Sequence, residues 1–136
     1  MADASPQDVR AQVGPMMTAE QFRARNPSVG YLKIQALGAG GVIPISQVRI
    51  LVYKVFSNTR ALIYDGRTDM DGITPDIPLP APLRNGSTNA GDPQAGSQYF
   101  IHAAHPGYLP REYQVEIFEG VTSILPVMLQ PMEGRF

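Results

Sequence analysis

Hydrophobic and polar residues alternate with a period of two over most of this chain. Leu32, Ile34 and Ala36 alternate with Lys33 and Gln35, which is the pattern of a strand with one buried face. The same alternation predicts further strands over 45–56, 61–68, 98–105, 112–118 and 122–129, and an extended, proline-containing one over 73–82. Short strands separated by frequent turn signals are typical of a sandwich or a small barrel.

One short segment has the signals of a helix instead. Thr18 and Gln21 have the spacing of a capping box, in which each side chain binds a free backbone amide of the other residue. The Asn-Pro pair at 26–27 ends the helix, because the residue before a proline is pushed out of the α region. We therefore predict a helix over 19–25. Two turns are too short to be stable alone, so Phe22 must pack on the strands.

Glycines and prolines mark the breaks between strands. Gly72 closes the turn that begins at Asp69 and suits a positive φ. Gly66 is expected to mark a β-bulge. Pro75 and Pro78 cannot donate to a strand ladder, so the segment 73–82 is expected to be an edge strand.

These elements predict an all-β fold: a single sandwich of seven strands, within a range of six to eight, with a short N-terminal helix. The chain has 136 residues, which is the size of one domain. We assign residues 18–136 to this domain. Residues 1–17 are polar and without hydrophobic period, and we expect a flexible tail there.

The order of the turn and strand signals resembles that of a known family. The signals are a strand GYLKIQAL, a proline-led strand IPISQVRILVY, a T-D-x-D-G turn from Thr68, an L-P-x-P segment from Leu79, Tyr99-x-Ile, a Gly-Tyr turn at Tyr108 and a final L-x-P from Leu129. Over roughly residues 18–131 the chain resembles the carboxypeptidase regulatory-like domain, a transthyretin-like or Ig-like β-sandwich found beside cell-wall and spore cortex-lytic enzymes of clostridia and relatives. It departs from that family at Ser46 and Gln47, where Gly-Ala is usual.

The resemblance implies a role other than catalysis. We expect a non-catalytic binding or structural module of a cell wall, spore or other surface assembly, with a protein or cell-wall partner. The alternative is a subunit or decoration protein of a phage-like or other repeating assembly, docked by the tail at 1–17. No pattern in the sequence indicates an oligomeric state.

Composition and charge exclude several other classes. The formal net charge is −1, so there is no basic field for a nucleic acid. The chain has no cysteine, which excludes disulfides and thiolate metal sites. The sequence shows no signal peptide and no apolar run of membrane-spanning length. It therefore predicts a cytoplasmic protein, or one released or assembled by a route that needs no signal.

Neither a metal nor a cofactor is indicated by the acidic and histidine residues. Asp65, Asp69 and Asp71 could hold a cation loosely, but a plain hairpin turn explains them better. His102 and His105 are three apart, which on a strand places them on opposite faces. We therefore predict no metal site and no cofactor.

The sequence lacks the catalytic motifs of the transthyretin-like enzymes. A 5-hydroxyisourate hydrolase would need a histidine near the first strand and a C-terminal Tyr-Arg-Gly-Ser, and this chain has neither. We find no nucleophile elbow, phosphate-binding loop or dinucleotide fingerprint. The sequence thus predicts no catalytic residue, with an isourate-type hydrolase as a minor alternative.

The predicted partner-binding residues lie on loops, because long loops on rigid sandwiches often carry recognition. The segment 84–97 has no hydrophobic period and is long for a compact domain. The candidates are Arg84, Asn85, Asn89 and Tyr108.

Overall fold

The computed structural model describes residues 18–56, 59–83 and 96–132. These residues form one helix and eight strands. The helix, α1, is Ala19–Arg25. The strands are β1 Ser28–Gly38, β2 Ile43–Pro44, β3 Arg49–Phe56, β4 Thr59–Arg67, β5 Ile77–Ala81, β6 Ser97–Ala104, β7 Arg111–Ile117 and β8 Thr122–Met128.

The strands form two four-stranded sheets. In sheet 1, β1 is antiparallel to β2 and β5 along one edge and parallel to β8 along the other. Sheet 2 is antiparallel throughout, in the order β4-β3-β6-β7. The predicted all-β sandwich is confirmed, and its eight strands fall within the expected range.

The core lies between the two sheets and is built from every second residue of the strands. Sheet 1 contributes Leu32, Ile34 and Leu79, and sheet 2 contributes Ile50 and Ile101, all at most 1% exposed. Burying a side chain of this size contributes about 1.5–3 kcal/mol to stability. The alternation in the sequence therefore identified the inward faces correctly.

The helix α1 forms where the sequence predicted it. Thr18 and Gln21 exchange the two hydrogen bonds of the capping box, at 3.1 and 3.0 Å. Asn26 caps the other end, and its side-chain amide donates to the carbonyl of Phe22 at 2.8 Å. Phe22 is 5% exposed and packs edge-on against Phe56, so α1 covers one part of the core. No helix in the described residues is long and apolar enough to cross a membrane.

The predicted strand over 45–56 is wrong at its beginning, since β3 starts only at Arg49. Gln47 has a φ of 62°, which is incompatible with a strand. The buried Thr68 holds this segment in place: its hydroxyl donates to the carbonyl of Ile45 at 2.8 Å and accepts from the amide of Val48 at 3.0 Å. Side-chain hydrogen bonds thus replace part of the expected ladder.

The predicted bulge at Gly66 is also misplaced. Gly66 pairs regularly with Ile50, and the register of β3 and β4 shifts between Val52 and Tyr53 instead. Gly66 has a different role, because the hydroxyl of Tyr64 lies where a Cβ at position 66 would be. Glycine is needed there so that the Tyr64 ring can lie flat along its own strand.

The predicted turn at 69–72 and the proline-containing edge strand are both present. Gly72 has a φ of 77°. β5 pairs with β1 alone, with Pro78 opposite Tyr31 and Pro80 opposite Val29. The predicted tail at 1–17 and most of the 84–97 loop lie outside the described residues.

Candidate functional site

Tyr108 lies in a loop that the rest of the chain holds in place. Its backbone amide donates to the carbonyl of His105 at 3.0 Å, and its ring meets the His105 ring edge-on at 5.4 Å. The amide of Leu109 donates to the carbonyl of Gln130, and the amide of Met132 donates to the carbonyl of Gly107, both at 2.9 Å. Hydrogen bonds on both sides therefore hold the backbone at Tyr108, and the His105 ring packs against the Tyr108 ring.

Tyr108 lines a cavity of about 360 Å³ at the end of sheet 2. We call this cavity the arginine pocket, because Arg49 of β3 and Arg67 of β4 both line it. Much of the remaining lining is apolar and includes Pro106, Tyr108, Pro110 and Met132, which we call its apolar wall. Its volume falls within the range of about 300–1,000 Å³ that is usual for small-molecule sites.

The two arginines occupy directly opposite positions on neighbouring strands. Like charges in such a pair repel each other. Asp65 relieves part of this repulsion through two hydrogen bonds from Arg49, at 2.8 and 3.1 Å. These bonds lower the pKa of the Asp65 carboxyl and raise the pKa of the Arg49 guanidinium. Two positive charges thus face one negative charge.

The structure places only one of the four predicted partner-binding residues. Tyr108 is in the arginine pocket, whereas Arg84, Asn85 and Asn89 lie outside the described residues. Sequence reasoning missed Arg49 and Arg67. Both are polar positions at strand ends, and only the register of β3 with β4 shows that they meet.

Two of the three aspartates that could hold a cation have protein partners instead. The Asp69 carboxylate accepts from the backbone amides of Asp71 and Ile73, at 2.9 and 3.0 Å, and so stabilises its own turn. Asp65 binds Arg49. In the part of the chain that the structure describes, no three His, Cys, Asp or Glu residues form a metal-ligand group.

The two histidines also have structural contacts. His102 lies on β6 and pairs with Glu112 of β7 at 3.0 Å. β6 ends at Ala104, so His105 lies in the following turn rather than on the strand. Its Nδ1 donates to the carbonyl of Pro106 at 2.8 Å. The expectation that the two histidines lie on opposite faces of one strand therefore does not apply.

Lys54 is a buried cation on the inner face of β3. It is 8% exposed and lies over the rings of Tyr99 and Phe22, with Nζ 4.7 and 5.3 Å from their centroids. Nζ donates to the hydroxyl of Ser97 at 2.8 Å and to the carbonyl of Gln98. Burial lowers the pKa of Lys54 to about 8. Its spacing from Ile50 and Val52 on β3 was the signal for an inward side chain.

A further surface feature lies on the outside of sheet 1. Met128 of β8 is opposite Leu37 of β1, and its side chain lies against the turn at Gly41. The next turn residue, Val42, is 75% exposed, and Ile124 on the same face of β8 is 64% exposed. We call Leu37, Val42, Ile124 and Met128 the apolar face.

Comparison with known proteins gives a likeness of fold but no family. No family model matches the chain, and no curated protein matches it. Among solved structures, the chain is similar to a 3-chlorocatechol 1,2-dioxygenase from Rhodococcus opacus 1CP, with a TM-score of 0.55 and 10% identity over 86% of this chain and 64% of that one. It is similar to a minor pilin of Streptococcus agalactiae, with a TM-score of 0.53 and 16% identity over 80% of this chain and 47% of the pilin.

A third similar structure is the Bacillus anthracis TIE protein, with a TM-score of 0.51 and 21% identity over 76% of this chain and 17% of that protein. The chain therefore spans less than two thirds of the length of each of these structures. At these identities the likeness extends to the fold alone. The comparisons assign this chain to the β-sandwich fold and leave its kinship with the carboxypeptidase regulatory-like domain as a prediction.

Proposed function

We propose that this chain is a non-catalytic structural module that packs against a neighbouring protein in a surface assembly. The apolar face is the observation that carries this proposal. Val42 and Ile124 are each more than half exposed. Exposed aliphatic side chains that share one side of a sheet mark a protein-interaction surface more often than scattered ones do.

The edges of sheet 1 favour packing through the face rather than the addition of a strand. On the free edge of β8, Pro126 has no amide to donate. The amide of Met128 donates to the Tyr113 hydroxyl at 3.1 Å, and the carbonyl of Met128 accepts from Arg111 at 2.8 Å. The other edge of the sheet carries Pro78 and Pro80 of β5. Both edges are thus protected against pairing, while the apolar face stays open.

The similar solved structures support a role within a larger assembly. The minor pilin and the TIE protein each contain a sandwich of this kind within a longer chain. A cell-wall or spore assembly is the setting that the resemblance to the carboxypeptidase regulatory-like domain suggests.

The chemistry of the apolar face favours a protein over a wall polysaccharide. Its side chains are aliphatic or thioether groups, and the chain has no tryptophan. Sugar rings commonly stack on exposed aromatic rings, whereas aliphatic side chains pack well against those of another protein. Catalysis is not part of the proposal, because the sequence contains none of the catalytic motifs considered above.

Site-specific photocrosslinking in the native cells tests this proposal. A photoreactive residue at position 124 should yield a crosslink to the same protein in repeated preparations, and the substitution Val42→Glu should abolish it. A photoreactive residue at Leu62, which is 51% exposed on sheet 2, is the matched control and should not give that product.

Three outcomes would overturn the proposal. Equal crosslinking from positions 124 and 62 would show that the apolar face has no special partner. Undiminished retention of the Val42→Glu variant on purified wall fragments would make the chain a wall-polymer binder. A crosslink from position 124 to residues 1–17 of the same molecule would show that the tail covers the face.

A further inference from the structure

The arginine pocket combines an exposed positive charge with a preformed apolar wall. Within the described residues, the guanidinium of Arg67 has no hydrogen bond and attracts Asp65 only through its charge, whereas Arg49 is hydrogen-bonded to Asp65. Arg67 also faces the like charge of Arg49 across the strand pair. An anion placed between the two arginines would satisfy Arg67 and relieve their repulsion.

The charges around the arginine pocket favour a ligand with a single negative charge. Arg49 and Arg67 together carry two positive charges, and Asp65 compensates one of them. A monoanion would bring the net charge of this cluster to zero, whereas a dianion such as phosphate would leave it negative. A carboxylate carries one charge and matches the two parallel N–H groups of a guanidinium.

The apolar wall indicates what the rest of the ligand looks like. Pro106, Tyr108, Pro110 and Met132 present rings and a thioether to the cavity. Flat rings pack well against tyrosine and proline surfaces, and the thioether of Met132 is favourable beside an aromatic ring. The cavity of about 360 Å³ has room for one such ring.

The wall is in place before any ligand arrives. Backbone hydrogen bonds join Leu109 to Gln130 and Met132 to Gly107, and Gly107 has a φ of 86° that lets the chain turn sharply. A rigid pocket loses less conformational entropy on binding than a mobile one does.

We propose that the arginine pocket binds a carboxylate joined to an aromatic ring by a short aliphatic linker, with Arg67 as the main anion contact and Tyr108 as part of the ring-packing wall. The ligand is either a free aromatic acid or the carboxyl terminus of a peptide that ends in an aromatic residue. The pocket belongs to sheet 2 and is independent of the packing role proposed for the apolar face.

Titration followed by amide NMR shifts tests this site with 3-phenylpropionate as the probe. The amides of His105, Tyr108 and Met132 should shift, and Arg67→Gln should weaken the affinity about tenfold, as expected for the loss of one charged hydrogen-bond partner. Arg60→Gln is the matched control, because Arg60 is an exposed arginine of the same strand that lies over Tyr53. It should leave the affinity unchanged.

Chemical controls separate the charge from the ring. The neutral 3-phenylpropanamide and the ringless acetate should each bind at least about tenfold more weakly than 3-phenylpropionate. A Gly-Gly-Phe peptide compared with 3-phenylpropionate distinguishes a peptide terminus from a free acid, because only the peptide can add backbone contacts. The C-terminal amide of that peptide should bind at least about tenfold more weakly than the peptide itself. Equal binding of the acid and the amide probe, equal loss in Arg60→Gln, or no shift at all in the pocket amides would overturn the proposal.

Discussion

Both sheets of this sandwich have a mainly apolar inner face, whereas their outer faces differ in the number of charged residues. On the outer face of sheet 1, β1 carries one charged residue, Lys33, which pairs with Asp76 at 3.5 Å. The outer face of sheet 2 carries charges on β3, β4 and β7. These are Arg49, Arg60, Asp65, Arg67, Glu112 and Glu116.

This difference indicates a division of roles between the two sides of the molecule. Both sheets must bury their inner faces, so their inward residues are constrained alike. The outer faces are free of that constraint and can specialise. Sheet 1 presents apolar groups that lose contact with water on packing, and sheet 2 presents charges that remain hydrated and can meet an ionic ligand.

Substitutions in the shared core should have the largest effect and should not distinguish the sheets. Leu32→Ala in sheet 1 and Ile101→Ala in sheet 2 each remove a side chain that is at most 1% exposed. Each should lower the free energy of unfolding by about 2–5 kcal/mol, measured by urea denaturation. A loss below about 1 kcal/mol at one site only would mean that the two inner faces are not equivalent.

Lys54 is the exception on the inner face of sheet 2, and its titration should be visible in stability. The pKa of Lys54 is lowered to about 8 in the fold, from an ordinary 10.5. Between these values the unfolded chain binds more protons, so the free energy of unfolding rises with pH, by about 2 kcal/mol from pH 8 to 10. Above pH 10 the gain reverses, because burial raises the pKa of Tyr99 and the unfolded tyrosine ionises first.

The substitution Lys54→Met tests the origin of that pH dependence. It keeps an unbranched side chain of similar length and removes the buried cation, so the rise in stability from pH 8 to 10 should disappear. Urea denaturation at several pH values measures the effect. An unchanged rise in the Lys54→Met variant would assign it to other groups.

The smallest expected effects concern the outer faces. Val42→Glu on sheet 1 and Leu62→Glu on sheet 2 should each change stability by no more than about 0.5 kcal/mol, because both side chains are exposed. They should differ in binding to the neighbouring protein, which only Val42→Glu should weaken. A large loss of stability in Val42→Glu would show that the apolar face is structural.

Substitution of the two paired arginines, Arg49 and Arg67, should change the stability of sheet 2 slightly even without a ligand. Arg67→Gln should leave the melting temperature unchanged or slightly higher, because it removes the repulsion of Arg49. Arg49→Gln should lower it slightly, since Asp65 then loses its partner. Thermal denaturation at low salt measures both, and a lower melting temperature for Arg67→Gln than for Arg49→Gln would contradict this account.

The fold was more predictable than the candidate site. The period of two marked the inward residues, and the capping box placed α1 to the residue. The start of β3 was wrong because the hydroxyl of Thr68, distant in sequence, holds Ile45 and Val48. Arg49 and Arg67 were missed for the same reason, since they are 18 positions apart and meet only through strand register. Predictions for Arg84, Asn85 and Asn89 remain predictions.

The sequence by itself determined the features that depend on neighbouring residues. Alternation fixes which side of a strand is apolar, a capping box fixes where a helix begins, and a glycine such as Gly72 fixes a turn. The tertiary structure alone decided which distant residues meet. It placed Lys54 between Phe22 and Tyr99, and it closed the arginine pocket with a loop held by Gln130. Such contacts depend on strand pairing and register, which local patterns do not encode.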